Sequence, residues 1–479
     1  MVLQALRHTG LNLVSTVLVR GMGFLLIPVY TRCLSPSDYG VIDLLALCTT
    51  LCLLTVALEI SQGLVRLLPE QSSVEERRHL VSTALLFTLG ANTVLIIVCG
   101  LFARPLAIAL LKSEQASSLI WLFGTSTAFQ GVVVVWQTTL RAAIRPVRQA
   151  LLSLCYGVLT LAGTVLAVVW WNWGMIGVLF GQLCAGVGAA LLGAYWTRDL
   201  IAWTFVKSKL EAMLKFSLPL VPSSLAVWVG LYVDRVALQH LTNMSELGIF
   251  GVAARFASIG GIVGLAMQSS ILPLIYQHYR APTAAASIGS LFRLYCGVSL
   301  SAITGLALLS GEIIAAMTAP PYYGAASLIT PLVIATLANQ MLIFAPGLTI
   351  AGRTGMYGLL NVVAALTNTI LAFALIPRWG AAGAAFGTCF SALLGCFVHV
   401  LISQRFYYIP FRLWRLLPGT MICALSLLAA PPQSTVAVSS HIVWKGLVAL
   451  VPVTLVLLLE LLSERRVRRG TLLSSHVLF

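Results

Sequence analysis

Apolar residues along this 479-residue chain neither alternate nor fall into short amphipathic stripes. They run on in about fourteen stretches of roughly twenty residues between positions 10 and 462, the length at which a helix crosses a hydrocarbon core. Backbone polar groups in lipid must be satisfied within the segment, and strand-type alternation is absent, so helices follow. The connections are too short to house a globular domain. The pattern predicts an all-α integral membrane protein of about fourteen transmembrane helices. The first stretch, after Met1 and Arg7, superficially resembles a secretory leader. Arg20 interrupts it and no small-residue cleavage pattern follows, so an uncleaved first helix is expected.

Composition sharpens this picture. The chain is 59% apolar and 9% charged, whereas soluble domains carry about 25% charged residues, which excludes an ordinary soluble enzyme. Lys and Arg number 29 against 14 Asp and Glu. These cations lie between apolar runs rather than in basic surface patches, so a nucleic-acid partner is not expected. With the amino terminus placed in the cytoplasm, nineteen of the 29 fall in inner connections and five (Arg32, Arg104, Lys112, Arg378, Lys445) in outer ones. The other five (Arg20, Arg66, Arg235, Arg255, Arg293) lie within the helices. That bias orients both termini inward. The terminal cluster Arg465, Arg466, Arg468 and Arg469 fixes topology or meets anionic headgroups. Ten scattered cysteines without a C-x-x-C pair predict free thiols, with no zinc or other metal. A Walker-type phosphate loop is absent, so no nucleotide or other cofactor is expected.

An internal repeat organises the segments. Trp173-Gly-Met-Ile-Gly-Val-Leu-Phe-Gly181 recurs as Trp379-Gly-Ala-Ala-Gly-Ala-Ala-Phe-Gly387. A weaker echo relates Ser37-Asp38-Tyr39-Gly40 to Ser245-Glu246-Leu247-Gly248. Six helices per copy is an even number, so the copies form two pseudo-two-fold-related lobes about an axis along the membrane normal. The expected organisation is an amino-terminal lobe over 1–200, a second lobe over 201–404, and two further helices with a basic cytoplasmic tail over 405–479. The Gly-x-x-x-Gly spacings at Gly177/Gly181 and Gly383/Gly387 read as close helix packing. Pro219 and Pro222, inside the seventh segment, predict a kink or unwound turn and are candidate hinge positions.

Ionisable groups in a spanning helix cost about 2.5–3.5 kcal/mol each on insertion scales and by default face a cavity. Arg20 lies mid-segment beside Gly21 and Gly23, and Arg255 and Arg293 sit well inside the eighth and ninth segments. Arg66 and Arg235 complete the candidate cationic set, although Arg66 equally reads as snorkelling to the surface. Glu59 and Asp234 are the deep acids, and either is a candidate for ion or proton coupling. Asp234 equally reads as an internal partner for Arg255 or Arg20. Asp43 and Glu312 read as ordinary interface residues. The deepest arginines outnumber the acids, which predicts a cationic hollow that concentrates anions. Guanidinium forks match phosphate oxygens two at a time. Gln130, Gln137, Asn339, Gln340, Asn361 and Asn368 either meet sugar hydroxyls or join helices.

Two stretches resemble a known family. Val19-Arg20-Gly-Met-Gly-Phe24, followed by Pro28-Val-Tyr30-Thr-Arg32-Cys-Leu34-Ser-Pro36-Ser-Asp38-Tyr39-Gly40, resembles the polysaccharide-transporter family of Wzx-type oligosaccharide flippases. That family sits in the superfamily of the lipid II flippase and the multidrug and toxin extruders. Leu218-Pro219-Leu-Val-Pro222 and Asp234-Arg235 resemble its second-half signature. The resemblance implies a non-enzymatic flippase that moves an undecaprenyl-diphosphate-linked repeat unit across the bacterial cytoplasmic (inner) membrane by alternating access. The product would be O-antigen, capsule or exopolysaccharide, with the lipid-linked oligosaccharide, membrane lipids and polymerase or assembly proteins as partners. It also implies a cleft lined by arginines, with Arg20 and Arg255 on two of the helices that border it. The Arg-Gly-Met-Gly here lacks the serine of the lipid II flippase pattern, so that substrate is not carried over. Two alternatives stand beside this reading. An ion-coupled drug or organic-cation antiporter would need cleft acids in surplus. A membrane glycosyltransferase or polymerase would need catalytic residues on sizeable outer loops, and the connections around 104–116 and 432–440 are short and poor in acids.

Overall fold

The computed structural model describes residues 2–429 and 444–459 of the chain. The basic tail at 465–469 and the connection at 432–440 therefore lie outside the described residues. Among the described residues every regular element is helical. Nine helices among the described residues are long and apolar enough to cross a membrane, and two shorter apolar ones accompany them. The protein is a multi-pass helical membrane bundle.

The helices that matter below are α1 (Val2–Cys33), α2 (Pro36–Thr55), α3 (Ile60–Leu67), α4 (Val74–Leu101), α5 (Ser117–Ala142), α6 (Pro146–Val165) and α7 (Gly174–Thr197). Next come α8 (Lys207–Ser217), α9 (Leu220–Leu241), α10 (Met244–His278), α11 (Ala284–Met317) and α12 (Ala325–Gln340). Then follow α13 (Thr354–Gln404), α14 (Leu417–Ala429) and the short apolar helix α15 (Trp444–Leu459). The chain divides into two compact units, residues 1–239 with 243–248, and residues 240–242 with 249–479.

In the first unit, a core of Ile60, Leu64, Leu80, Trp136, Leu140 and Met213 joins α3, α4, α5 and α8. α1 lies along α6, where a side chain at Gly157 would meet Val19 and Met22. The helix starts follow local chemistry. Ser35 caps α2, its hydroxyl accepting from the Asp38 N–H while the Asp38 carboxylate accepts from the Ser35 N–H, with Pro36 as the first helical residue. Asn243 does the same for α10, its Oδ1 accepting the Glu246 N–H at 2.9 Å. The weak echo in the sequence is thus a helix-start motif used twice.

The stronger repeat has an equally local cause. Gly174 and Gly380 both adopt positive φ (53° and 54°), a conformation that costs glycine little. Each turns the chain between the two helices of a hairpin: α6 into α7, and the two halves of α13, which the kink at Gly380 separates. Downstream, Gly181 meets the backbone of Gly163 and Thr164, and Gly383 that of Leu375, so the small-residue spacing packs hairpins tightly.

In the second unit, Phe292 on α11 stacks with Phe411 at 4.3 Å and Phe344 at 5.9 Å. The Tyr295 hydroxyl donates to the Leu337 carbonyl on α12 at 3.0 Å. The half-buried Lys445 on α15 forms an ion pair with the buried Glu312 on α11. Glu312 is therefore a paired core residue, not the ordinary interface residue its position in the sequence suggests. All ten cysteines are free, with Cys33 and Cys184 exposed.

Candidate functional site

Two helix breaks govern where the deep charges sit. The seventh segment stops at Ser217 and restarts at Leu220, so Leu218 and Pro219 form a turn between α8 and α9, and Pro222 falls in the first turn of α9. Proline lacks the N–H that would continue the ladder, and the residue before it disfavours the helical region. The second segment is also broken, between α2 and α3, at Val56–Glu59. There Leu58 and Glu59 take φ of 49° and 53°, a left-handed conformation that costs a side-chain-bearing residue on the order of 1–3 kcal/mol. Neither proline nor glycine marks this break in Thr55-Val-Ala-Leu-Glu-Ile60. It is imposed by packing: Ile60 and Leu64 are fully buried, and Gly63 lies against Met213 of α8. Glu59 consequently stands at the amino-terminal end of α3, half-buried, at an unwound point within an apolar stretch.

The five candidate arginines separate by what they touch. Arg20 on α1 is exposed and has no ion-pair partner among the described residues. Its neighbours Gly21 and Gly23 have nothing within 4 Å of where a Cβ would stand, so this face of α1 is open. Arg66 on α3 pairs with Glu70, four residues on and just past the end of that helix, both half-exposed. Arg235 on α9, half-buried, lies 3.0 Å from the buried Asp43 on α2. Neither atom of that contact completes a hydrogen bond, so the pair is held by Coulomb attraction. Asp43 is thus a buried counter-ion rather than an ordinary interface residue. Asp234, its neighbour's opposite in sign, is buried beside it on α9.

In the second unit Arg293 is buried on α11. It donates to the carbonyls of Pro410 (3.4 Å) and Phe411 (3.3 Å) and to the Ser290 hydroxyl (2.8 Å), holding the chain that follows α13. Arg255 on α10 is half-buried. Of the polar amides, Gln137 donates to Ser153 (3.1 Å), Gln340 to the Gly261 carbonyl (2.9 Å), and Asn368 accepts from Ser391 (3.1 Å). These three join helices.

The Asp43–Arg235 pair belongs to a longer seam in the first unit. Two turns along each helix, Trp228 on α9 donates to Thr50 on α2 at 3.2 Å. The seven-residue steps run in opposite directions, so α2 and α9 are antiparallel. Arg235 also stacks over Tyr232, 5.5 Å from the ring centre. At the same end the Lys112 ammonium donates to the Gln239 carbonyl (2.8 Å) and the Gln239 amide to that of Leu110 (2.7 Å). Sequence reading missed this seam because Asp43 and Arg235 are nearly two hundred residues apart. Only the echo around Gly40 and Gly248 hinted that these helix starts share an environment.

A family model described as polysaccharide biosynthesis protein matches residues 5–278. The succinoglycan biosynthesis transport protein ExoT of Rhizobium meliloti (strain 1021) is 25% identical over 276 residues, covering 56% of this chain. The match spans about half of that relative, 52% of its length. Among solved structures, the lipid II flippase MurJ in an inward closed conformation superposes with a TM-score of 0.73 at 14% identity, covering 92% of this chain and 97% of its own. An inward-facing multidrug resistance MATE family transporter superposes with a TM-score of 0.65 at 14% identity, covering 86% and 96%. At such identities the likeness shows a shared fold.

Proposed function

Because the chain belongs to the polysaccharide biosynthesis protein family, we propose that it is a flippase for an undecaprenyl-diphosphate-linked oligosaccharide. In this reading it carries the repeat unit from the inner to the outer leaflet of the bacterial cytoplasmic membrane, supplying O-antigen, capsule or exopolysaccharide assembly. The fold it shares with flippases and multidrug transporters supports transport over catalysis.

The observation that carries the cargo assignment is Arg20, an exposed guanidinium on an open, glycine-flanked face of a helix deep in the apolar part of the chain, with no acid partner among the described residues. Arg20 would hold the diphosphate. Arg66, Arg235 and Arg293 engage protein partners in this conformation. The positive-inside orientation puts the Asp43–Arg235 seam at the outer end, so α2 and α9 would part there to release cargo, with Leu218–Pro219 as the turn that absorbs the movement. Glu59 and Asp234 would couple transport to an ion or proton gradient.

The test is genetic and biochemical together. Deleting the gene should trap lipid-linked oligosaccharide in the inner leaflet, wild-type protein should clear it, and Arg20→Ala, inserted at equal level, should not. Clearance by Arg20→Ala at the wild-type rate would remove the assignment.

A further inference from the structure

An open cleft of about 670 Å³ lies between the start of α6 and the end of α7 in the first unit. Its lining includes Arg145, Val147, Arg148, Tyr195, Arg198 and Asp199. Three guanidinium groups thus face one carboxylate. Arg145 meets Asp199 through both terminal nitrogens, one bond measuring 2.9 Å. That hydrogen bond holds the Arg145 guanidinium above its ordinary pKa, so the pair stays ionised. The single acid is therefore occupied. Arg148 spends one nitrogen on the Trp196 carbonyl at 3.2 Å. Arg198 lies over the Tyr195 ring at 4.7 Å from its centre, an arrangement that orients a guanidinium and leaves its edge N–H groups outward. The cleft carries a surplus of two positive charges and several uncommitted donors.

Its surroundings are apolar and exposed. Val147 in its lining is 50% exposed, and Ile144, next to Arg145 in the chain, is 72% exposed. A soluble anion has no use for that rim, whereas an amphiphile does. Depth agrees. The α6 segment runs 25 residues from Pro146 to Trp170, about 37 Å at 1.5 Å per residue, a little more than the ~30 Å hydrocarbon core. Its far end carries exposed Trp170, Trp171 and Trp173, the side chains that favour a membrane interface. With those rings at one interface, the arginine cleft falls at headgroup depth on the other. Basic pockets between helices at that depth suit phosphate headgroups.

We infer that this cleft binds the phosphate headgroup of an anionic phospholipid, with an acyl chain laid along the Ile144 and Val147 rim. The chemistry is a phosphate anion between guanidinium groups, and the occupant is a resident bilayer lipid. Binding is read without transport, so it stands or falls apart from the flippase reading.

The experiment uses the purified full-length protein in mixed micelles containing phosphatidylglycerol or phosphatidylcholine, with retained lipid counted by native mass spectrometry. Wild-type protein should retain phosphatidylglycerol selectively. Each arginine near the surface contributes roughly a fivefold preference, so Arg148→Gln with Arg198→Gln should lower retention about thirtyfold. Asp199→Asn moves the other way: removing the competing acid should raise retention, a change that loss of fold would not produce. Equal retention of the two lipids, unchanged retention in the double variant, or stripping by inorganic phosphate alone would overturn the inference. So would preferential uptake of undecaprenyl diphosphate over phosphatidylglycerol, which would make the cleft a cargo subsite.

Discussion

Gly40 and Gly248, equivalent positions of the two repeats, press the first turns of α2 and α10 together backbone to backbone. A Cβ on Gly40 would overlap the Met244 carbonyl oxygen and stand 3.1 Å from the Gly248 nitrogen. One on Gly248 would overlap the Pro36 carbonyl oxygen and stand 3.0 Å from the Gly40 nitrogen. The contact is self-complementary, with each glycine meeting the carbonyl four residues before the other.

Gly40→Ala or Gly248→Ala should force these turns apart. Overpacking of this kind costs about 1–3 kcal/mol, and the obstructing atoms are backbone, which cannot swing away. Gly90→Ala is the control, since nothing lies within 4 Å of its Cβ position in α4 and helix propensity there favours alanine by about 1 kcal/mol. Thermal unfolding in detergent should fall for the first two and hold or rise for the third.

The Asp43–Arg235 pair should respond asymmetrically. Asp43→Asn strips the half-buried Arg235 guanidinium of this counter-charge, with a loss below the about 3–5 kcal/mol of a fully buried pair. The exchange Asp43→Arg with Arg235→Asp should recover part of that loss. A double-mutant cycle on unfolding midpoints measures the coupling, and strict additivity would show that the two charges do not interact.

The remaining arginines should sort by readout. Arg66→Ala removes a half-exposed pair and should change stability by no more than about 0.5 kcal/mol. Arg293→Ala leaves the Pro410 and Phe411 carbonyls without this donor and should lower stability by about 1–3 kcal/mol. Arg20→Ala should lower cargo turnover while leaving the unfolding midpoint near wild type, because Arg20 has no acid partner among the described residues. A fall in the midpoint of Arg20→Ala as large as that of Arg293→Ala would contradict this division.

Coupling through the deep acids predicts that Glu59→Gln with Asp234→Asn abolishes the response of transport to an imposed ion or proton gradient in vesicles. Gradient-dependent transport at wild-type rate in the double variant would eliminate both residues from that role.

Much of the architecture was written in local pattern. Apolar runs gave the membrane class, and the Trp-Gly repeat marked two hairpin turns because glycine at 174 and 380 takes a backbone conformation that other residues resist. Pro219 marked a real interruption. The break at Val56–Glu59 left no such trace, since it arises from how α3 packs on α8 rather than from any residue at the break.

The chain alone therefore determined that this is a helical membrane protein with an internal repeat, because burying an unbroken apolar run in lipid depends only on neighbours along the chain. Which arginines are committed to partners was decided by tertiary structure. Charge at a position is readable from one residue, but whether that charge is neutralised depends on what packing brings within about 4 Å. For Arg235 that is an aspartate from another helix far back in the sequence, for Arg293 a pair of carbonyls, and for Arg20 an open face.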